Sequence, residues 1–551
     1  MSFFKELENK RYGAGMIFLV GFITGAILFV LTYGVRILDV TYDSWIFRVS
    51  DVDIHQHYIG WCHFREAPWT FPLGLMDSLS WPKKMSVLWT DSIPLLAIIF
   101  KAFKFILPET FQYFGIYGLF SFAMTGGTAA LLIYKLSGSG TAALLSAPLV
   151  AESFIMLQRM FYHTSLTAHY LIIIPMLFYL YDGYKWSVVK KCCVWGIYFF
   201  IAVMIHPYLW AMGAVIAAFS FIEEILRIKT LVPALATAAV SGALTFAGLY
   251  ITGAFYGNVE AAYSFGGYEA NLNTFINSMG KGRFLPELPL KNPSQYEGFA
   301  YLGLGGLILV IAALIMFIRT FGQNKGKDRK MLIFILCPVF IILSVIPEIT
   351  FNTRMLIKLP LPGAVMRILG IFRSNGRFIW PAVILIYAGA VMLICRSKKK
   401  VMPALCLVLC LIVQIMDMSP QIYAKYEKFT KPGKHWNQDL SNPALEAHMD
   451  RYDHIVVVPD NSRIVERSAF FAVKNDLTVN RFYFARDIDE ETEKMLEYYH
   501  ELCREGRAPD DVIFVFDEET YDQWKADTDL HFYDLTGTII GIAEEIELPG
   551  L

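Results

Sequence analysis

The stretch Ser92–Leu107, SIPLLAIIFKAFKFIL, decides how the chain threads a membrane. It is nearly as long and as apolar as a spanning helix, but Lys101 and Lys104 interrupt it and Pro94 and Pro108 bracket it. Those features fit an amphipathic helix lying in the lipid interface. With that segment kept out of the count, the basic clusters all fall on one side. Lys5, Lys10 and Arg11 stand before the first apolar block. Lys135, the group Lys185, Lys190 and Lys191, the pair Arg227 and Lys229, the run Arg319–Lys330, and RSKKK at Arg396–Lys400 follow in the loops that share its side. The positive-inside rule makes that side cytoplasmic. Were Ser92–Leu107 to cross, every later basic loop would face outward.

The other apolar blocks are each long enough to traverse a hydrocarbon core of about 30 Å. They lie near 14–35, 113–134, 140–158, 168–183, 192–207, 208–226, 231–252, 300–318, 331–347, 379–395 and 401–418, about eleven spans. The first is too long for a signal-peptide core and lacks a small-residue cleavage site, so it is expected to stay as an anchor. Over 551 residues, 55% are hydrophobic and 18% charged, below the quarter or so charged in soluble domains. A net charge of −1 offers no surplus for neutralising phosphates, so no nucleic-acid partner is expected. Of eight cysteines, only Cys62 and Cys503 fall in polar stretches. There is neither a disulfide framework nor a CxxC metal spacing.

The expected fold class is therefore an α-helical integral membrane protein with outer interfacial helices and a small extracytoplasmic α/β domain at its C-terminus. Residues 1–418 form the membrane domain, with outer loops near 36–112, 253–299 and 348–378. Residues 419–551 form the second domain. In it His454–Pro459 (HIVVVP) and Asp511–Phe516 (DVIFVF) read as buried strands, Glu490–Glu505 as a helix, and His531–Ile542 as one or two final strands. No Gly-rich phosphate loop is present, so no nucleotide is assigned.

The first outer loop concentrates the chemistry. Asp51 and Asp53 open a Pro-free segment, VDIHQHYIGWCHFR at Val52–Arg65. Asp53, Gln56 and His57 stand at i, i+3 and i+4, one face of a helix. A carboxylate with an imidazole one turn on suits a general base; an N-cap Asp heading an aromatic interfacial helix fits the same residues. Asp91, in WTDSIPLL, is either an N-cap for the interfacial helix or a second carboxylate returned to the first. Trp61 and Arg65 join Gln56 as candidate substrate contacts. His163, His169 and His206, at the outer ends of spans, are candidate substrate contacts too, although helix-end histidines are commonly structural. Two guanidiniums, Arg373 and Arg377, flank Ser-Asn-Gly at an expected lipid interface. They fit a phosphate clamp or snorkelling to headgroups. Lys281 and Arg283 can add to that anionic site. Glu297 reads as a cap. No zinc spacing occurs; an Mg²⁺ or Mn²⁺ ion on Asp53 and Asp91 fits the oxygen-rich loop.

Four phrases carry a resemblance: DIHQHYIGWCHFREAPWTFPLG at Asp53–Gly74, WTDSIPLL at Trp89–Leu96, FQYFG at Phe111–Gly115 and FRSNGRFIWP at Phe372–Pro381. Over about 50–420 the chain resembles an uncharacterised family of bacterial multi-spanning membrane proteins. Its layout resembles the polytopic glycosyltransferases of the GT-C superfamily. That resemblance implies a bacterial plasma-membrane protein with a cytoplasmic N-terminus. It also implies a polyprenyl-phosphate-sugar donor and an extracytoplasmic glycan, lipid or protein acceptor. An acid of the first outer loop is then the catalytic base, and basic residues of later loops hold the donor phosphate. The adjacent acidic pair of GT-C is replaced here by Asp51-Val52-Asp53, so the base is open between those two. Two other functions compete with transfer. A flippase or transporter of a lipid-linked sugar would show polar or broken spans, for which Glu152 is the main candidate. A membrane scaffold would leave the polar loop without a use.

Overall fold

Apolar runs crossing lipid must bond every backbone group within their own segment, so they fold as helices. The computed structural model describes residues 13–48, 52–256, 265–320, 328–397, 401–431, 440, 442–484, 489–535 and 537–547. Among these, nine helices are long and apolar enough to cross a membrane, from Ala14–Tyr33 to Val401–Thr430. This is a multi-pass membrane protein. Two of the expected spans are shorter helices. Tyr170–Leu180 carries Pro175 inside it. Leu336–Val345 is preceded by a 3₁₀ stretch, Arg329–Ile335. Because 3₁₀ turns rise about 2 Å per residue, that combined segment still reaches roughly 29 Å. Ser92–Leu107 is a nine-residue helix, Pro94–Ala102, followed by the 3₁₀ turn Lys104–Ile106, roughly half of a crossing by length.

The chain divides into two compact units. The first comprises Met1–Tyr42, Gln112–Thr245 and Ala261–Pro432. Lipid tails give apolar helices little reason to prefer one another, so close backbone approach through small residues decides their packing. Ala14–Tyr33 lies against Phe114–Ser137 in this way. A Cβ at Gly25 would sit 2.2 Å from the Phe122 carbonyl oxygen, and one at Gly126 would sit 2.4 Å from that of Gly21. At the other end of the chain, Gly305 lets Gly303–Thr320 meet Val401–Thr430, its absent Cβ only 2.1 Å from the Cys410 carbonyl oxygen. The expected span 140–158 is broken. Gly140–Ala151 stops at Glu152, and Ser153 caps a second helix, Phe154–Arg159.

The second unit gathers Asp43–Phe111, Phe246–Glu260 and Gly433–Leu551. The four C-terminal segments expected from sequence form as strands His454–Val457, Val512–Phe516, His531–Asp534 and Ile539–Ile542 and as the helix Asp489–Arg504. With Thr478–Val479 they build a five-stranded sheet. Thr478–Val479, His454–Val457 and Val512–Phe516 run parallel, and the last two strands close the sheet antiparallel. Val456, Phe514, Phe516, Leu496 and Trp524 fill one core. The helix Ser462–Lys474 packs on Val52–Glu66, and Phe47 meets Phe470 at 4.5 Å. The tail and the segment Asp43–Phe111 thus share a core.

Candidate active site

The helix Val52–Glu66 places Asp53 in its first turn and His63 and Arg65 in its last, the polarity a helix dipole favours. Gly60 lets another segment come close: a Cβ there would lie 2.4 Å from Thr90 Cβ. Through that gap the turn 90–92 docks on the helix. The Ser92 hydroxyl donates to the His57 carbonyl at 2.7 Å, and Thr90 Oγ1 and Ser92 Oγ share a hydrogen bond at 2.8 Å. The docking sets Asp91 Oδ2 3.3 Å from His57 Nε2. The Asp91 backbone is left-handed, and so is that of Ile93, an uncommon conformation for a β-branched residue that marks a locally constrained turn. Asp91 does not cap the helix Pro94–Ala102; that position belongs to Ile93, without a side-chain hydrogen bond. The carboxylate is turned to His57 instead.

The neighbouring side chains of the same helix hold the fold around this pair. His55 Nδ1 meets Glu466 Oε2 at 3.0 Å, and its Nε2 meets the Ile46 carbonyl at 3.2 Å. Burial pushes the Glu466 carboxyl up, while His55 draws it back down. His63 lies against Ser78 and the Ala469 carbonyl; burial brings its pKa down to about 4, against the pull of that carbonyl. Gln56 donates to the Tyr483 carbonyl at 2.9 Å and the Trp89 carbonyl at 3.4 Å, so its amide nitrogen ties segments together. Trp61 and Arg65, candidate substrate contacts from the sequence, both bond within the protein. Trp61 is fully buried and donates to Phe111, and Arg65 donates to Pro108 and Glu109. Lys101 also departs from expectation. It is buried over Phe64 and Trp69 rather than facing headgroups, and burial lowers its pKa to about 8. Asp53 is half-buried and close enough to Glu466 to raise its pKa. Asp51 lies outside the described residues. Among the described residues no three His, Cys, Asp or Glu side chains stand together as metal ligands.

The first unit holds a second charged centre. The Glu297 carboxylate accepts from Arg159 Nη2 at 2.8 Å, Arg377 Nε at 2.8 Å and Arg377 Nη2 at 3.1 Å. All three residues are buried. Burial alone would raise the Glu297 pKa, but the two guanidiniums outweigh it and hold the carboxyl well below its usual range, with His163 adding to them. The Tyr208 ring lies 4.8 Å from the Arg377 guanidinium, and its hydroxyl accepts from the Ser374 amide. Trp380 lies 5.4 Å from Arg159, and His169 packs on Trp380. Lys281 stands within electrostatic reach of Arg159, and burial first, then that guanidinium, lowers its pKa. The expected clamp is thereby divided. Arg377 is committed to Glu297, whereas Arg373 is exposed over the Tyr268 ring at 5.0 Å. His206 Nδ1 accepts from Tyr208 N and so caps its helix. Arg283 enters through its backbone, bonded to Asp417.

Residues 22–419 match a family model described as a domain of unknown function, DUF6311, and residues 444–543 match the DUF6311 C-terminal domain. The chain belongs to the DUF6311 family. The first match takes in both charged centres except Glu466, which the second contributes. No curated protein matches the chain. Among solved structures, this DUF6311 protein is similar to the apo form of the Archaeoglobus fulgidus oligosaccharyltransferase, with 11% identity over 98% of this chain and 76% of that one and a TM-score of 0.42. At that distance the likeness carries neither an activity nor a substrate across.

Three residues of these centres escape sequence reading. Glu466 is one glutamate among many in a charged tail. Arg159 and Glu297 look like an interfacial cation and a helix cap, yet each adjoins an apolar stretch. A buried charge requires a partner, and that requirement was the available signal. Their separation of 138 residues hid the pairing.

Proposed function

We propose that this DUF6311 protein is a membrane glycosyltransferase that moves a sugar from a polyprenyl-phosphate carrier to an acceptor hydroxyl outside the cytoplasm. The observation that carries this is the His57–Asp91 pair at 3.3 Å, in which a buried imidazole lies one helical turn from the half-buried Asp53. An imidazole held by one carboxylate beside another is equipped to manage a proton. Asp53 takes the proton of the acceptor hydroxyl; Asp51 is the alternative base. The acceptor oxygen bonds to the anomeric carbon as the bond from that carbon to the phosphate oxygen breaks, and the phosphate leaves with the electron pair. His57, fixed by Asp91, orients the acceptor or the base. No step is assigned to a metal.

Direct displacement inverts the anomeric centre. Proton NMR of the product formed from a donor of known configuration tests this: inversion is expected, and retention would contradict it.

One observation favours a second function, movement of the lipid-linked sugar without chemistry. The helix 140–159 is interrupted at a buried carboxylate, Glu152, which accepts from the Thr32 hydroxyl. Interrupted spans with intramembrane acids are a feature of transporters. Transfer of carrier across proteoliposomes that depends on Glu152 and forms no glycosidic bond would favour it.

A further inference from the structure

The segment Glu348–Arg373 exposes apolar side chains that nothing in the fold accounts for. It begins as an antiparallel hairpin, Glu348–Phe351 with Arg354–Lys358. Alternate residues of a strand point to opposite faces, yet every residue of Arg354–Lys358 is exposed. Met355, Leu356 and Ile357 show 49%, 55% and 53% of their surface. A lone two-stranded hairpin is marginal in water, and apolar residues on both its faces call for cover. The short helix Gly363–Gly370 continues the pattern. Val365, Ile368 and Ile371 are exposed at a spacing of three, along one stripe.

Charge and tethering say what covers this surface. From 348 to 373 the chain carries Arg354, Lys358, Arg367 and Arg373 against the single acid Glu348. Glu348 is itself held between Lys291 and Lys358. The helix Gly363–Gly370 ends five residues before the membrane-crossing segment Asn375–Ile394, a linker that reaches roughly 17 Å at most. On the other side, the apolar helix Leu336–Val345 ends three residues before Glu348. Neither end lets this surface travel far from a bilayer. Exposed aliphatic residues interleaved with basic ones are the composition that partitions into an anionic lipid interface.

We infer that the Glu348–Lys358 hairpin and the Gly363–Gly370 helix form a docking surface for anionic phospholipid, with Leu356, Ile357 and Ile368 entering the acyl boundary and Arg354, Lys358 and Arg367 meeting phosphates. Hydrogen exchange on the full-length protein tests it, in nanodiscs of phosphatidylcholine alone or doped with phosphatidylglycerol. Amides of 354–358 and 363–371 should slow by about tenfold on adding the anionic lipid. The triple variant Arg354→Glu, Lys358→Glu, Arg367→Glu should lose that response while the amides of Asn375–Ile394 exchange as in wild type, which separates the loss from misfolding. Equal protection with and without anionic lipid would overturn the inference. So would protection that follows the number of protein copies per disc rather than lipid charge, which would make the surface a contact between copies.

Discussion

The two charged centres are built from similar residues and do opposite things with them. Around Glu297 the carboxylate accepts three hydrogen bonds from two guanidiniums, all buried. Around His57 the contact to Asp91 is longer and the nearby Asp53 is half-buried. In the first, charge is spent on holding helices together. In the second, a constrained turn keeps a carboxylate at an imidazole without burying the neighbouring acid. Charge count alone does not separate the two centres; the burial of their carboxylates does.

Removing the shared carboxylate is the sharpest way to break this comparison. Glu297→Ala leaves Arg159 and Arg377 buried with no acid between them, which should cost on the order of 3–5 kcal/mol, seen as a lower denaturation midpoint in detergent. Acid should act through the same group. Its folded pKa lies below the ordinary 4.5, so its contribution is complete above about 4.5 and is lost as pH falls through the depressed folded value. Asp91→Ala, by contrast, should leave that midpoint nearly unchanged.

Acid weakens the second unit at a higher pH. His63 is kept neutral, with its pKa down from 6.5 to about 4. Its contribution is present above 6.5 and is lost as pH falls toward about 4, an effect of about 3 kcal/mol. Pulse proteolysis should show the C-terminal segments opening in that window, with the first unit still resistant.

The turn that carries Asp91 can be displaced without touching a charged group. Gly60→Ala puts a methyl against Thr90, so the turn must move, at a cost on the order of 1–3 kcal/mol. Activity should fall further than stability. Ser92→Ala removes the hydroxyl bonds to His57 and Thr90 and should cost about 1–2 kcal/mol, with activity falling modestly. If Gly60→Ala leaves activity intact, the docking of 90–92 is not what prepares the site.

How far these features were legible follows from the range of the forces. Each expected span forms mainly as helix, with 140–158 broken at Glu152 and 331–347 opening on a 3₁₀ stretch, because hydrophobic length is written locally in the chain. The exclusion of Ser92–Leu107 rested on Lys101 and Lys104, and the segment is indeed short; yet Lys101 is buried over Phe64 and Trp69, a tertiary contact that no local pattern announces. The face shared by Asp53 and His57 follows from helix geometry alone. The return of Asp91 was open in the sequence and was decided by Gly60, a glycine whose absent side chain admits Thr90. The Gly21–Gly25 and Gly126 contacts are visible in the sequence as small-residue spacing along two apolar runs. The internal bonds of Trp61 and Arg65 are not legible locally, because an aromatic or cation beside acids looks the same whether it faces a ligand or a core. Glu466 and Glu297 needed the fold.

The central claim is that Asp53 removes the acceptor proton. Its direct test is sugar transfer from a panel of labelled polyprenyl-phosphate-linked hexoses and pentoses by purified wild-type and Asp53→Asn protein in liposomes, with donor retention measured alongside. Wild type should transfer at least one of them. Asp53→Asn should fall by roughly 10²–10⁴-fold while retaining donor and thermal stability. Wild-type turnover in Asp53→Asn would contradict the account.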